Sequence, residues 1–330
     1  MHTGKNTTTN SVSVILRIVS SRLFKATVSL GLLGYIVYRF DSTKIIRNML
    51  AADPFFLLSA VLVFITSGVL GAVQWGILLR FHGVYSRFKS TVARYFMGLF
   101  FNYIMPGFVG GDIVRVYKTS MDSGQPAQSF SSTLADRMIG LLVLVLFSLG
   151  AYIFMPGGTA ERALPVGVFM LIVLCGFCAV FTFKPLGILV NRWFGRFIPQ
   201  SIGEKLTAVY FEMHRLTRSP STLALIFLMS CTIQITRIGV HFLCGHAVGI
   251  ELNFAYFALF VPLIEIVASL PISFGGFGVR ETMAFVLFST VGVEQATVLS
   301  YSLLATSAGL AGALPGGAAF VMGIGDKKVK

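Results

Sequence analysis

Between Phe55 and Leu79 the chain carries no charged side chain. A helix needs ~20 mostly apolar residues to cross the hydrocarbon core of a bilayer. Further apolar runs, some holding one or two charges, recur at Phe130–Phe154, Pro165–Phe183, Leu223–Val248 and Ala296–Val321. A shorter one at Leu23–Phe40 has Lys25 and Arg39 near its ends. No water reaches backbone groups at that depth, so such runs satisfy their own N–H and C=O groups as helices. Of the 330 residues 55% are hydrophobic and 12% are charged, about half the ~25% charge of soluble domains. A soluble enzyme, a disulfide-stapled secreted module and a disordered chain are thereby excluded. The chain reads as an all-α polytopic membrane protein with about six full spans. Leu23–Phe40 resembles a signal-peptide core, but no small-residue cleavage site follows it. It is expected to be an uncleaved anchor.

A net charge of +13 would suggest nucleic acid in a soluble chain, but the basic residues are not placed for it. They gather between apolar runs, at Lys5–Lys25, Arg80–Arg94, Lys184–Arg218 and Lys327–Lys330. That is how loops facing the cytoplasm and anionic headgroups are charged. No basic-aromatic module accompanies them, so no nucleic-acid partner is expected. The rule gives a cytoplasmic amino-terminal segment (1–22), one membrane domain (23–322) and a cytoplasmic basic tail (323–330). Asp41–Pro54 and Pro156–Arg162 are expected to be outside loops. Lys184–Arg218 is expected to be an amphipathic cytoplasmic connection with Trp193 and Arg192 at the headgroups. A multi-pass protein of a bacterial or archaeal plasma membrane fits this pattern. The cysteines Cys175, Cys178, Cys231 and Cys244 all lie inside apolar runs. The C-x-x-C spacing at Cys175 therefore reads as packing, and no metal or cofactor is indicated.

Two further segments are apolar but broken. Tyr95–Tyr117 contains Pro106, Gly107, Gly110 and Gly111, and Phe254–Val291 contains Pro262, Pro271, Gly275, Gly276 and Gly278. The charge pattern requires each to return to the side it entered from, so both are read as re-entrant hairpins. Residues 106–115 and 271–280 share the pattern P-x-x-x-G-G-x-x-V-R at an offset of 165 residues. The same shift superposes flanking spans, giving repeats at about 55–155 and 220–320 of opposite orientation. Inverted repeats with Gly/Pro-broken helices place transporter sites near the bilayer midplane. The paired glycines, Gly110 with Gly111 and Gly275 with Gly276, would let a headgroup approach the backbone. Arg115 and Arg280 would then hold its phosphate, or else they are two snorkelling arginines at tight turns.

Ionisable residues at membrane depth are costly and are functional candidates by default. They are Asp112, Asp136, Arg137, Arg237, Glu265 and Glu281, with His241 sharing a helix face with Arg237. The acids are read as neutralising the arginines, receiving a cationic headgroup or carrying a coupling proton; structural ion pairing is equally open. Taken together, Asn102 to Arg115, Asp136-Arg137-Met-Ile-Gly140 and Pro271 to Glu281 resemble the lysylphosphatidylglycerol synthase transmembrane region, a family also described as flippase-like. The resemblance covers about Phe55 to Val321 and implies translocation of lipid between leaflets. Only Gly323–Lys330 follows the last span, so the soluble aminoacyltransferase domain of full-length synthases is expected to be absent, and lysyl transfer with it. The leading expectation is a flippase-like transporter, not an enzyme, whose partner is a membrane phospholipid or another phosphate-bearing lipid. That lipid could be aminoacylated, isoprenoid-linked or glycosylated. Two alternatives stay open: an intramembrane lipid-modifying transferase, and a scaffold for a separate lipid-modifying enzyme.

Overall fold

The computed structural model describes residues 42–105, 110–153, 158–194, 200–269 and 276–324. The expected amino-terminal segment 1–22, the expected first span, Leu23–Phe40, and residues 325–330 of the expected tail 323–330 lie outside them. Twelve α-helices run through the described residues, with one short 3-10 turn, Ser289–Val291, and without a strand among them. They are α1 (Ser42–Leu50), α2 (Pro54–Phe81), α3 (Phe88–Ile104), α4 (Gly110–Ser123), α5 (Pro126–Ile153) and α6 (Gly158–Thr182). Then follow α7 (Lys184–Phe194), α8 (Gln200–Thr217), α9 (Pro220–Ala247), α10 (Phe254–Ala268), α11 (Val279–Phe288) and α12 (Gln295–Val321). Helices α2, α5, α9 and α12 are long and apolar enough to cross a membrane. The apolar part of α6, Gly167–Thr182, is shorter.

Two expected loops contain structure. Asp41–Pro54 holds α1, whose Ile45 packs on Ala296 and Leu299 of α12, and whose Lys44 pairs with Glu294. Residues 158–162 of the expected outside loop Pro156–Arg162 belong to α6. Pro315 lies inside α12, which runs the full length expected of Ala296–Val321.

The repeat is visible in how the helices start and stop. Both α2 and α9 open with proline in the first turn, where its missing N–H costs nothing. Both end before a glycine with φ of +83°, Gly83 and Gly249. The turns ahead of α5 and α12 hold Gly124 (φ +70°) and Gly292 (φ +82°). Side chains with a Cβ rarely adopt this left-handed backbone, so chain reversal is written into matching places of both halves. Between these landmarks each half carries a hairpin. In α3–α4 the Asn102 side chain accepts the Gly111 N–H at 2.9 Å, and Arg94 pairs with Asp122 at the far end. In α10–α11, Glu265 meets Arg280 while Phe260 packs edge-on, and Phe257 at a tilt, against Phe288. The arms have 17 and 14 residues in one half and 15 and 10 in the other, all short of the ~20 needed to span.

Contacts fix the directions of the four long helices. Gln74 with Ser230 and Asp53 with Ala247 make α2 antiparallel to α9. Gln74 with Asp136 and Trp75 with Thr133 make it antiparallel to α5. Ala52 with Leu304 and Phe64 with Gly312 make it parallel to α12. Matching helices thus run in opposite directions, and the repeat is inverted. The halves also exchange their hairpins: α3 packs on α12, and α10 packs on α5. A Cβ at Gly316 would lie 2.0 Å from the Phe96 carbonyl, and one at Gly111 would lie 1.7 Å from the Gly98 carbonyl. Helix α3 is therefore clamped between α4 and α12 through bare backbone, the close approach that small residues permit in lipid.

Candidate functional site

Where the two halves meet, charged side chains collect in two groups. In the first half Arg115, only 3% exposed, lies 3.0 Å from Asp112 and 2.9 Å from Asp136. Trp75 and Tyr95 flank its guanidinium at 5.1 and 5.2 Å from the ring centres. Asp112 also takes a two-pronged bond from Arg137, Nε at 2.6 Å and Nη2 at 3.1 Å. Gln74 donates to the other oxygen of Asp136 at 2.9 Å and accepts from Ser230 at 3.0 Å. Two arginines and two aspartates are thus interlocked, with amide and hydroxyl groups filling the remaining sites. Planar guanidinium forks suit this arrangement.

The second half does the same job with fewer charges. Arg280, 4% exposed, grips Glu265 with Nε at 3.0 Å and Nη2 at 3.3 Å. Its Nη1 donates to the Thr306 hydroxyl at 3.2 Å. His241 approaches the same carboxylate at 3.6 Å and shares a 2.9 Å hydrogen bond with the Tyr301 hydroxyl. Glu281, expected to compensate Arg280 locally, does something else. Its carboxylate accepts the Gly278 N–H at 2.7 Å and so caps the start of α11. A residue next in sequence on a helix points about a quarter-turn away from its neighbour, which is why Glu265 on the other arm is the partner.

Two chambers lie beside these groups. One, about 70 Å³, is lined by Asp112, Arg115, Asp136, Arg137 and Arg237 with Tyr95 and Gln74. The other, about 110 Å³, is lined by Tyr103, Arg137, Arg237, His241, Glu265 and Arg280. A cavity holds a water once it offers roughly 10–15 Å³ to its centre, so both admit several waters or a small polar group. They share Asn102, Arg137, Gln234 and Arg237, so they abut. Of the sequence candidates, Asp112, Arg115, Asp136, Arg137, Arg237, Glu265 and Arg280 all reach this region. Gly110 and Gly111 start α4 at its edge; Gly276 (φ +80°) precedes α11, and Gly275 lies outside the described residues. Sequence reasoning missed Gln74, Ser230, Tyr95, Tyr301 and Thr306. One signal was available: Ser230, Gln234, Arg237 and His241 form a polar stripe at helical spacing along α9.

At the end of α2, outside the spanning segments, His82 is buried against α8 and meets Glu212 at 2.9 Å. Burial lowers its pKa below the usual 6.5, and the glutamate only partly opposes this. The amphipathic character expected of the connection holds in α8, where Val209, Met213 and Leu216 are buried while Leu206 and Phe211 are exposed. Helix α7 leaves Ile188, Leu189 and Trp193 exposed.

The profile of the lysylphosphatidylglycerol synthase TM region matches residues 22–316. A UPF0104 membrane protein of Pyrococcus horikoshii is 25% identical over 79% of this chain and 84% of its own length. One from Methanothermobacter thermautotrophicus is 24% identical over 79% and 81%. Another, from Methanocaldococcus jannaschii, is 26% identical over 32% of each chain. The chain belongs to the lysylphosphatidylglycerol synthase TM region family and is a membrane protein of it.

Proposed function

From membership of that family we propose that the protein moves a phosphate-bearing lipid between the leaflets of a bacterial or archaeal plasma membrane. The observation that carries this reading is the pair of abutting chambers. One is built on the hairpin of each inverted half, and they share a wall of Asn102, Arg137, Gln234 and Arg237. A headgroup crossing a membrane needs polar partners at every depth, and opposed chambers with a common wall supply them in sequence. Inverted repeats with broken helices favour alternating exposure of such a site.

In this reading the chain is a transporter and performs no lysyl transfer. The partner is the membrane lipid itself, and the Lys-rich and Arg-rich connections face the cytoplasm. Cysteine placed at Glu204 should resist membrane-impermeant reagent added to intact cells; efficient labelling there would reverse the orientation. The functional test is purified protein in liposomes carrying fluorescent phospholipids in both leaflets, read by quenching of the outer one. Transport predicts loss of inner-leaflet fluorescence with the lipid chemically unchanged. A new lipid product would establish the transferase instead, and neither outcome would leave the scaffold.

A further inference from the structure

Four arginines line the chambers, Arg115, Arg137, Arg237 and Arg280, against three carboxylates, Asp112, Asp136 and Glu265. Every one of those carboxylates is already engaged by Arg115, Arg137 or Arg280. Arg237 has no carboxylate partner among the described residues; it donates a 3.4 Å hydrogen bond to the Tyr95 hydroxyl. The hairpin tips, residues 106–109 and 270–275, contain no Asp or Glu that could reach it. Glu281 lines neither chamber and is committed to the start of α11. Arg237 stands in the polar stripe of an otherwise apolar helix and is half-buried. It belongs to the lining of both chambers. An unpaired cation at that depth is expensive, and an anion arriving at the common wall would relieve it.

We infer that Arg237 is the seat of the travelling phosphate, and that Arg115 and Arg280 hold the frame around it. The inference rests on the transport reading for what the anion is attached to, and deepens it by naming the group that receives the charge. Arg137 on the same wall, fixed by Asp112, turns an edge toward the incoming oxygens; its side chain is 32% exposed. Counting the four arginines against the three carboxylates, the surplus is a single positive charge. It is cancelled by one phosphodiester monoanion and overshot by a diphosphate, so a glycerophospholipid headgroup matches and a diphosphate-linked isoprenoid does not.

Two readouts separate this inference from the reading beneath it. In detergent, dioctanoyl phosphatidylglycerol should raise the unfolding temperature of the wild type. Arg237→Gln should weaken that response by about tenfold or more in apparent affinity, without lowering the unfolding temperature of the protein alone. Arg237→Lys keeps the charge but loses the fork, and should fall between the two; it also serves if the Gln variant fails to fold. In liposomes, Arg237→Gln should slow phosphatidylglycerol movement by about tenfold or more. Unchanged binding in both variants, or no binding to the wild type, overturns the inference. Tighter binding of farnesyl diphosphate overturns the phosphodiester assignment. Binding that depends on Arg237 in a protein that moves no lipid upholds the seat and removes the transport reading instead.

Discussion

The two halves of the membrane domain share a backbone plan but not an ion network. Arg115 and Arg280 occupy matching positions after matching breaks, yet their partners come from different elements. Asp112 on α4 and Asp136 on α5 hold the first. Glu265 on α10 holds the second, and Thr306 on α12 stands roughly where α5 carries Asp136 and Arg137. What is repeated is therefore the interruption of the helix and the guanidinium beside it. Each half neutralises that guanidinium by its own means, and the asymmetry leaves a charge over at the boundary.

The largest expected effect tests the backbone plan. Gly111→Ala drives a methyl group into the Gly98 carbonyl, which only separation of α3 from α4 can relieve. A loss of about 3 kcal/mol or more, or failure to insert, is expected in detergent unfolding. Gly276→Ala meets Ala268 at 3.2 Å from a left-handed backbone and should cost about 1–2 kcal/mol. Equal losses would mean that the first hairpin is not the tighter one.

Next comes the ion network. Glu265→Gln strips Arg280 of its carboxylate, and breaking such a buried pair costs about 3–5 kcal/mol. Asp136→Asn leaves Arg115 with Asp112 and should cost about 1.5–3 kcal/mol, the range of a hydrogen bond to a charged group. If the two variants unfold alike, the doubled partnership in the first half confers no protection.

The smallest effect concerns the His82 contact with α8, which the second half lacks because Val248 follows α9 there. Unfolded His82 takes up a proton near pH 6.5, while the buried ring resists it. Its contribution is therefore complete above pH 6.5 and fades as the pH falls below that value toward the lowered folded pKa. His82→Gln should cost about 1 kcal/mol at pH 8 and flatten the decline in stability below pH 6.5. An unaltered acid limb would assign that decline to other groups.

Much of this plan was legible because lipid leaves few alternatives. Apolar length gives the spanning helices, and glycine with proline marks where they cannot continue. The repeat found in the motif at an offset of 165 residues reappears as matched starts, stops and turns 166 to 169 residues apart. Partnerships were less legible, since they depend on helices far apart in sequence. Glu281 is adjacent to Arg280 and looked like its counter-ion, whereas the chain uses Glu265, fifteen residues earlier on the facing arm. Arg237 was visible as an intramembrane charge, but its lack of a carboxylate emerges only once every acid nearby has been assigned.

The exchange of hairpins also sets a timetable for the ribosome. Helices α3 and α4 are made early, but the backbone surface that α3 offers at Phe96 is closed only by Gly316 of α12, the last described helix. During synthesis the first hairpin must wait in the translocon or the lipid with that flank uncovered. The second hairpin has no such delay, because α5 is complete before α10 begins. Chains interrupted before α12 would leave that flank of the first hairpin uncovered and be marked for quality-control proteases. Assembly of the described helices is thus completed by α12 rather than half by half.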